Sequence, residues 1–295
     1  MAIIQDGNRR WARRLGESAR LGHERGAETT EKVLDWCLEV GVRQLTIYTF
    51  STENFSRPTW EQDVIFDLIA RKFRKVRESP RTHANRVRIR ALGEVHLLPP
   101  DVVEEIRAAE KATAGYDDLY LNVAVAYGGR RELVEAARRL AREVKAKRLK
   151  PSEVDEDAVR RCLYNNGHPK AEVDLIIRTG GMERTSNFLP WQSCGNECAI
   201  YICAPYWPDF RKIDFLRAIR TYQQREREHI SREMHRILEM AQAGGVSDRE
   251  ELARLAQRLL GLSPAEAEAM VKRLAVAAPA RTPLAAAAKL PSIKQ

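Results

Sequence analysis

Short apolar runs alternate along most of the chain with longer stretches in which apolar positions recur every three or four residues. The runs predict strands, and the periodic stretches predict helices. The predicted strands are 2–5, 44–50, 87–92, 120–126, 173–177 and 197–203. The predicted helices are 29–40, 60–78, 98–114, 132–146 and 213–239. Because such alternation is typical of βαβ units, we predict an α/β fold with a parallel β-sheet flanked by helices.

The pattern changes after about residue 240. Two shorter helices are predicted there, at 247–260 and 264–276. Ser247 and Ser263 are suited to cap their first turns, because a serine hydroxyl accepts a hydrogen bond from a free backbone N–H. Residues 277–295 are rich in alanine and proline, which predicts a disordered end.

Composition limits the classes of protein that this chain can belong to. Its 295 residues are 44% hydrophobic, which suffices for one large α/β domain, alone or with an appendage. No apolar run approaches the roughly 18 residues that span a bilayer. No signal peptide is visible either, so we expect a cytoplasmic protein.

The formal net charge of +9 fits three kinds of partner: nucleic acid, an anionic membrane surface or a phosphorylated substrate. The arginines are scattered along predicted helices, where many would be solvated, so charge alone does not choose between these partners. The sequence contains no aromatic stacking platform and no recognised nucleic-acid motif. A nucleic-acid binder is therefore disfavoured.

Three of the five cysteines lie close together, at Cys194, Cys198 and Cys203. The Cys194–Cys198 spacing differs from the usual Cys-x₂-Cys of a zinc site, and no second Cys or His pair lies nearby. We interpret these residues as reduced, buried thiols on a strand. An odd number of cysteines in a cytosolic chain also argues against a disulfide framework.

A lone carboxylate, Asp6, follows the first predicted strand. A Gly7-Asn8 turn comes next, and then an arginine-rich helix start with Arg9 and Arg10. This order brings a carboxylate, free backbone N–H groups and two guanidinium groups into one corner, which suits a diphosphate held with a divalent cation. The alternative is an ordinary strand–turn–helix junction with a solvated helix.

Two further polar segments follow predicted strands. Residues 51–58 (STENFSRP) are either a loop that caps the next helix or a site in which Asn54 and Arg57 contact a substrate head group. Residues 178–187 (RTGGMERTSN) combine arginines with a Gly-Gly turn, which favours an anion-binding nest over a plain turn. His23 is either a surface helix residue or a hydrogen-bond donor to phosphate. Glu197 is either solvated or a second metal or positioning group.

In a parallel sheet, ligands bind at the carboxyl ends of the strands. Polar segments fall at four such predicted ends, at residues 6–8, 51–57, 127–130 and 178–186, and all except 51–57 contain glycine. The agreement of four separate strand ends is stronger than any one of them. It favours a phosphate-binding site at that edge.

Taken together, these segments resemble the cis-prenyltransferase family, also called undecaprenyl diphosphate synthase-like enzymes. The resemblance covers roughly residues 1–228 and is closest to archaeal members. The matching motifs occur in the family's order: DGNRRWA (6–12), Gly22-His23 with Gly26, STENFSRP (51–58), NVAVAYGGR (122–130), DLIIRTGGMERTSNFLPWQ (174–192) and WPDF (207–210).

The resemblance implies a fold and a reaction. Family members have a parallel sheet surrounded by helices, with a hydrophobic tunnel for the growing chain. They use Mg²⁺ to condense isopentenyl diphosphate units onto an allylic diphosphate, such as farnesyl or geranylgeranyl diphosphate. The product is a cis polyprenyl diphosphate, a precursor of lipid glycosyl carriers. Residues 1–228 would form this catalytic domain, and 229–295 a helical extension.

The resemblance also implies site residues, carried over motif by motif. Asp6 and Asn54 would be catalytic, and Asp6 and Glu197 would bind Mg²⁺. The predicted substrate-binding residues are Gly7, Asn8, Arg9, Arg10, Trp11, His23, Ser51, Glu53, Phe55, Arg57, Arg178, Arg184 and Ser186. Within this set, Arg178, Arg184 and Ser186 would hold isopentenyl diphosphate, while the allylic diphosphate would lie among Gly7–Arg10, His23 and Arg57.

The chain departs from the family pattern near residue 228. Many homodimeric members end there with an Arg-x-Gly tail, which this chain lacks. It therefore forms either a homodimer with altered contacts or the catalytic half of a heteromer with a non-catalytic homologue. A non-catalytic scaffold is disfavoured, because Asp6, Arg178 and Arg184 are all present. The extension is either a stabilising helical cap or a peripheral contact to membrane.

Overall fold

The computed structural model describes residues 1–164, 172–194, 198–243 and 248–277. Within these residues the chain forms two compact units, Met1–Tyr222 and a unit that begins at Gln223. None of the described helices combines the length and the apolar character needed to cross a membrane.

The first unit is built on a parallel sheet of six strands within the described residues, in the order β3-β4-β2-β1-β5-β6. This confirms the predicted parallel sheet. The strands are β1 Ala2–Ile4, β2 Gln44–Ser51, β3 Val87–Leu92, β4 Leu119–Tyr127, β5 Leu175–Arg178 and β6 Ala199–Ile202. Each differs by no more than a few residues from the prediction, the last two being shorter at the start.

Helices connect these strands and cover the sheet. They are α1 Asn8–Arg14, α2 Ala19–Glu39, α3 Thr59–Glu78, α4 Pro80–Ala84, α5 Pro100–Ala112, α6 Gly129–Lys145, α7 Glu156–Cys162 and α8 Lys212–Ala243. The helix predicted at 29–40 corresponds to α2, and the predicted start is wrong, because α2 begins ten residues earlier, at Ala19. Ser18 accepts a hydrogen bond from the N–H of Leu21 at 3.3 Å and caps α2 at Ala19, ahead of two glycines that weaken the helical pattern.

The sheet is buried on both faces. On β1, Ile3 contributes to one apolar cluster with residues of α2, α3 and α5, while Ala2 and Ile4 contribute to another cluster on the opposite face. Both faces of a parallel strand are normally covered, which explains why these strands read as continuous apolar runs. Ile3 pairs in register with Ile47 of β2 and Ile177 of β5.

The position of β1 determines where a ligand can bind. The chain leaves β1 toward β2 on one side, and it returns much later to place β5 on the other side. Such a reversal leaves a crevice beyond the carboxyl ends of the two strands. Asp6 lies just after β1 and Arg178 ends β5, so both residues are at this crevice.

The second unit is helical. It contains the end of α8, together with α9 (Arg249–Leu260) and α10 (Pro264–Ala277), as predicted. Its core includes Met234, Leu252 and Ala256. Asp248 caps α9 through a hydrogen bond from the N–H of Glu250 at 3.2 Å, so Asp248 has the role expected of Ser247, which lies outside the described residues.

Side-chain capping also determines where α10 begins. Ser263 and Glu266 form a reciprocal cap at the start of α10, with distances of 2.9 Å from Ser263 N to Glu266 Oε2 and 3.4 Å from Glu266 N to Ser263 Oγ. The predicted role of Ser263 is therefore confirmed. Of the predicted disordered end at 277–295, Ala277 is the last residue of α10, and residues 278–295 lie outside the described residues.

Candidate active site

Asp6 occupies a sharp corner between β1 and α1. The turn depends on Gly7, whose φ of 112° is rare for other residues and whose Cβ, if present, would lie 2.6 Å from Cδ1 of Tyr206. The backbone oxygen of Asp6 accepts hydrogen bonds from Trp207 N at 3.0 Å and Thr179 Oγ1 at 2.7 Å. These contacts fix the backbone and leave the carboxylate free to face the crevice.

The Asp6 carboxylate lies between two arginines. Its Oδ1 is 3.1 Å from Nη2 of Arg10, and its Oδ2 accepts a hydrogen bond from Nη2 of Arg178 at 2.9 Å. Arg10 comes from α1 and also donates to the carbonyl of Gly180 at 3.1 Å. The predicted corner of carboxylate and arginines is therefore present, although its second arginine comes from β5.

Arg178 is the most buried cation of this corner, with only 4% of its surface exposed. It donates through Nη1 to Ser186 Oγ at 2.7 Å and to the backbone oxygen of Arg184. Ser186 and the next residue, Asn187, have φ values of 50° and 60°, which fold the segment back toward β5. The side chain of Arg184 remains exposed.

A second group of cations surrounds Glu61, a residue that sequence reasoning missed. Glu61 is only 2% exposed, although it lies in the first turn of α3. Its carboxylate is 2.7 Å from Nη1 of Arg57, 3.3 Å from Nη1 of Arg9 and 3.3 Å from Nε2 of His23. It therefore gathers three of the predicted diphosphate-binding side chains around one anion.

The ionisation of this second group reflects its burial. Burial lowers the pKa of His23, as do the charges of Arg57 and Arg9, whereas the hydrogen bond with Glu61 opposes the change. Burial would raise the pKa of Glu61, but the adjacent Arg57 and Arg9 outweigh it and leave that pKa lowered. The cluster thus holds a carboxylate and a neutral imidazole at neutral pH.

The charge of Asp6, in the first group of charged residues, acts on Arg57 in the second group. Burial lowers the pKa of Arg57, with Glu61 and the charge of Asp6 acting in the opposite direction, which places Asp6 within electrostatic reach of Arg57. Arg57 and Glu61 are four residues apart at the start of α3, and this spacing was a sequence signal for the group of cations around Glu61. It was not decisive, because the same spacing is common in solvated pairs.

The segment that contains Asn54 is a 3₁₀ turn, Thr52–Ser56, after β2. The Oδ1 of Asn54 accepts a hydrogen bond from Ser51 N at 3.1 Å, which fixes the amide orientation. Glu53 accepts a hydrogen bond from Nδ2 of Asn187 at 3.1 Å, so this turn contacts the segment that follows β5. Phe55 packs into the core with its ring centre 5.0 Å from that of Phe50.

Asn8 and Trp11 lie on α1 beside this crevice. The buried Oδ1 of Asn8 has no hydrogen-bond partner among the described residues, which makes it available to a ligand or water. The indole N–H of Trp11 donates to Oδ1 of Asp209 at 2.8 Å, on the side of α1 where Arg14 also pairs with Asp209.

An apolar cavity of about 150 Å³ lies between α2, α3 and the sheet. Asn8 and His23 line it near the two cation groups, and Leu34 and Val76 line it farther along the helices. It lies where a prenyl tail could follow a diphosphate bound at the crevice. This placement agrees with the predicted hydrophobic tunnel.

A divalent cation is compatible with the oxygen atoms present. Mg²⁺ usually takes one or two protein carboxylates and completes its shell with water and phosphate oxygens. The carboxylate of Asp6 is such a group. The amide oxygen of Asn8, which has no hydrogen-bond partner among the described residues, is a further oxygen atom that fits this ion. No group of three or more His, Cys, Asp or Glu side chains forms an ion site within the part of the chain that the structure describes. Glu197, the second predicted ligand, lies outside that part.

The five cysteines are not joined by disulfide bonds. Cys203 is buried, and burial raises its pKa to about 12, as expected for an inert thiol. Cys194 is exposed and precedes β6. The prediction of buried thiols on a strand is therefore wrong for Cys194. Cys198 is only partly buried and lies just before β6, and the buried Cys203 lies just after it.

Three comparisons with known proteins agree with this geometry. A family model described as "Putative undecaprenyl diphosphate synthase" matches residues 4–229. The tritrans,polycis-undecaprenyl-diphosphate synthase (geranylgeranyl-diphosphate specific) of Halobacterium salinarum is 50% identical over 90% of this chain and 86% of its own length. The protein of the same name from Haloarcula marismortui is 49% identical over 88% of this chain and 84% of its own length.

A solved structure supports the same conclusion for the fold. The lavandulyl diphosphate synthase of Lavandula x intermedia, crystallised with dimethylallyl diphosphate, is 31% identical to this chain. It superposes with a TM-score of 0.70 and covers 75% of this chain and 93% of its own. The chain therefore belongs to the undecaprenyl diphosphate synthase family of cis-prenyltransferases, transferases that elongate allylic diphosphates, and it is most similar to the archaeal members.

Proposed function

We propose that this chain is a Mg²⁺-dependent polyprenyl diphosphate synthase that adds isopentenyl diphosphate units to geranylgeranyl diphosphate, with farnesyl diphosphate as an alternative primer. The observation that carries the proposal is the pair of cation groups near Asp6, one of which lies beside an apolar cavity. A reaction between two diphosphate substrates, one of which has a long apolar tail, requires two groups of cations and one apolar cavity. The product would be a long-chain polyprenyl diphosphate that serves as a precursor of lipid glycosyl carriers.

The position of the cavity supports an assignment of one substrate to each group. The allylic substrate has the tail, so its diphosphate would bind where His23 and Asn8 line the cavity, with Arg9, Arg10 and Arg57 nearby. The isopentenyl diphosphate would bind at the group formed by Arg178, Arg184 and Ser186. Gly7, Trp11, Ser51, Glu53 and Phe55 would shape these two subsites.

Mg²⁺ would be held by Asp6 together with diphosphate oxygens, and it would stabilise the negative charge on the departing diphosphate. Arginines at fixed positions would do the same, because their charges are already oriented before the allylic C–O bond breaks. Asn54 would act beside the reacting carbons, its amide held by Ser51 N. A second metal-binding role for Glu197 stays a prediction.

Holding the two substrates together contributes separately to the rate. The ends of β1 and β5 are neighbours in the sheet, so groups attached to them meet at fixed distance. Such fixed orientation removes the entropy cost of bringing two reactants together. After the new C–C bond forms, a proton would leave the isopentenyl carbon chain, and an oxygen of the diphosphate would take it.

A homodimer is the oligomer that we propose for this chain. Strand β6 is at the edge of the sheet, and its Ile200 and Ile202 are 44% and 36% exposed. An edge strand can pair with another chain, and exposed apolar residues on it favour such an interface. The alternative is a heteromer with a non-catalytic homologue. A cytoplasmic location and a peripheral contact with membrane stay predictions.

The test is an assay of the purified chain with Mg²⁺, labelled isopentenyl diphosphate and allylic primers of ten, fifteen and twenty carbons. We expect incorporation that is greatest with the twenty-carbon primer and is abolished by a chelator. Light scattering during size-exclusion chromatography should report a dimer. No incorporation by a folded dimer would contradict the proposal and favour the heteromer, in which a homologous partner would be required for activity.

A further inference from the structure

The segment that follows β6 reaches the corner formed by Asp6. The N–H of Trp207 donates to the backbone oxygen of Asp6 at 3.0 Å, and the oxygen of Pro205 accepts a hydrogen bond from the N–H of Gly180 at 2.8 Å. The segment therefore contacts the turns that follow both β1 and β5. Tyr206 lies between these two contacts, so its backbone is fixed relative to both strand ends.

The ring of Tyr206 lies beside two arginines of α1. Cζ of Arg10 lies over the ring at 5.1 Å from its centre, and Cζ of Arg14 lies over it at 5.4 Å. Both distances are within the roughly 6 Å over which an aromatic ring attracts a guanidinium group. The ring also fills the space beside Gly7, where an added Cβ would be 2.6 Å from Cδ1 of Tyr206. Glycine at position 7 therefore allows the ring to approach α1 closely.

The two arginines differ in the anions that balance their charges. Arg14 pairs with Asp209, because its Nη2 is 2.8 Å from Oδ2 of that residue. Arg10 shares the carboxylate of Asp6 with Arg178. In the proposed function the same carboxylate also holds Mg²⁺. The charge of Arg10 is therefore less fully balanced than that of Arg14, and its attraction to the ring matters more.

Attraction to a ring can hold a guanidinium group while its N–H groups stay available to other partners. Nη1 of Arg10 donates to the oxygen of Gly180 at 3.1 Å. Its buried Nη2 forms the ion pair with Asp6 but has no hydrogen-bond partner among the described residues. A buried donor without a partner is unfavourable, and an oxygen atom of a ligand would remove that cost. Nη2 of Arg10 is therefore suited to bind a diphosphate at this corner.

We propose that Tyr206 is a positioning residue, whose ring holds the guanidinium group of Arg10 in the orientation that binds the allylic diphosphate. This inference rests on the proposed function. A guanidinium group that is oriented before the substrate binds loses less conformational freedom on binding. It also needs no reorganisation when negative charge develops on the departing diphosphate. Tyr206 acts through its ring and not through its hydroxyl group, so phenylalanine should replace it.

The test begins with binding, which does not depend on turnover. The probe is an analogue of geranylgeranyl diphosphate in which sulfur replaces the oxygen between C1 and the diphosphate, and isothermal titration calorimetry with Mg²⁺ gives its Kd. Tyr206→Leu keeps an apolar side chain beside Gly7 but removes the ring, whereas Tyr206→Phe keeps the ring. We expect Tyr206→Leu to raise the Kd about fivefold, as for a partly exposed cation–π contact, and Tyr206→Phe to leave it unchanged.

A double-mutant cycle separates positioning of Arg10 from general support of the fold. If Tyr206 acts through Arg10, Tyr206→Leu should change the Kd by less than about twofold in a protein that already contains Arg10→Ala. Arg14→Ala is the matched control, because Arg14 lies over the same ring but pairs with Asp209. In that background, Tyr206→Leu should still raise the Kd about fivefold.

Steady-state kinetics of the same variants give a second measurement. Tyr206→Leu should raise the KM for geranylgeranyl diphosphate about fivefold and change the KM for isopentenyl diphosphate by less than about twofold. The second KM should be nearly constant because Arg178 and Ser186 keep their contact at 2.7 Å. Equal changes in both KM values would contradict a role confined to Arg10.

The outcomes separate this inference from the proposed function. An unchanged Kd in Tyr206→Leu, or an equal rise in the wild-type and Arg10→Ala backgrounds, would overturn the role of Tyr206 and leave the proposed function intact. A wild-type protein that binds the analogue without incorporating isopentenyl units would contradict the proposed function, while the binding cycle would still decide the role of Tyr206. No binding by the wild type would overturn both. If Tyr206→Leu melts well below the wild type, Tyr206→Met takes its place in the cycle.

Discussion

Arg178 donates a hydrogen bond from Nη2 to Oδ2 of Asp6 at 2.9 Å, although the two residues are 172 positions apart in the sequence. The contact exists because β1 and β5 are neighbours in the sheet and both end at the same edge. It places a largely buried guanidinium against the carboxylate proposed to hold the metal. The two proposed diphosphate subsites therefore share one charged boundary.

We expect Asp6→Ala to lower turnover by about 100-fold or more, because a preorganised charge at the reacting centre is commonly worth that much. The fold should persist, since Arg178 keeps its contacts with Ser186 and the backbone of Arg184. The measurement is the rate of isopentenyl incorporation together with the melting temperature. Asp67→Ala removes an exposed carboxylate paired with Arg71 and should have no effect. Near-normal turnover in Asp6→Ala would refute its catalytic role.

Arg184→Ala should raise the KM for isopentenyl diphosphate about tenfold, which corresponds to about 1.4 kcal/mol of binding. Its exposed side chain can be removed without disturbing the core, while its backbone oxygen still accepts from Arg178. Initial rates at varied isopentenyl diphosphate give this KM. Arg138→Ala, which removes another exposed, paired arginine, is the control. An unchanged KM would exclude Arg184 from this subsite.

Glu61→Gln should raise the KM for the allylic primer about tenfold and leave the KM for isopentenyl diphosphate nearly unchanged. Glutamine keeps the size of the side chain but removes the charge that holds Arg57, Arg9 and His23 in place. Glu105→Gln is a matched control, because this carboxylate also pairs with two arginines but lies away from the cavity. Equal changes in both KM values would indicate a general structural role for Glu61.

The stability of the protein should depend on His23 in mildly acidic solution. Its pKa is lowered in the folded state, chiefly by burial and also by Arg57 and Arg9, against the hydrogen bond with Glu61. The unfolded chain therefore takes up a proton near pH 6.5, before the folded state does. The stabilising contribution is complete above pH 6.5 and is lost as the pH falls through the folded pKa.

Urea unfolding at several pH values between 7.5 and 5.5 tests this dependence. The free energy of unfolding should fall less steeply on acidification in His23→Gln than in the wild-type protein. Each pKa unit of difference corresponds to about 1.4 kcal/mol. His96→Gln changes an exposed histidine and should keep the wild-type slope. Identical slopes for His23→Gln and the wild type would show that His23 is not the responsible group.

Gly26→Ala should lower both the melting temperature and the activity. Alanine normally stabilises a helix interior by about 1 kcal/mol relative to glycine. Here the new Cβ would lie 2.4 Å from Oδ1 of Asn8 and 3.0 Å from Cδ1 of Trp207, so α1 or the Asn8 amide must move. Gly115→Ala, where nothing lies within 4 Å of the new Cβ, is the control. A more stable, fully active Gly26→Ala would contradict the close approach of α1 and α2.

The parallel sheet, and the polar residues at the edge where we propose that the diphosphates bind, could be predicted from sequence because each depends on local pattern. Apolar runs mark the strands, and polar segments follow them at Asp6, Ser51 and Arg178. The start of α2 was predicted wrongly because Gly22 and Gly26 weaken the helical pattern. Those glycines are required by the close approach of Asn8, which is a tertiary contact.

The partners of Glu61 could not be predicted in the same way. Its four-residue spacing from Arg57 is visible in the sequence, but the contacts with Arg9 and His23 depend on how α1, α2 and α3 pack. Thr179 was also missed as a positioning residue, because nothing in its local sequence shows that its hydroxyl binds the backbone oxygen of Asp6. Such contacts are specified by topology, which places distant segments side by side.

The strand order also has a consequence for biosynthesis. β1 is only three residues long, and it lies between β2 and β5, so it has its full set of sheet partners only when both are present. At about 5–20 residues per second, a ribosome needs on the order of ten seconds or more to make the chain from Asp6 to Arg178. During that interval the first strand lacks one neighbour and the Asp6 carboxylate lacks Arg178. Completion of this charged corner therefore waits for the synthesis of Arg178, well after its carboxylate has been made.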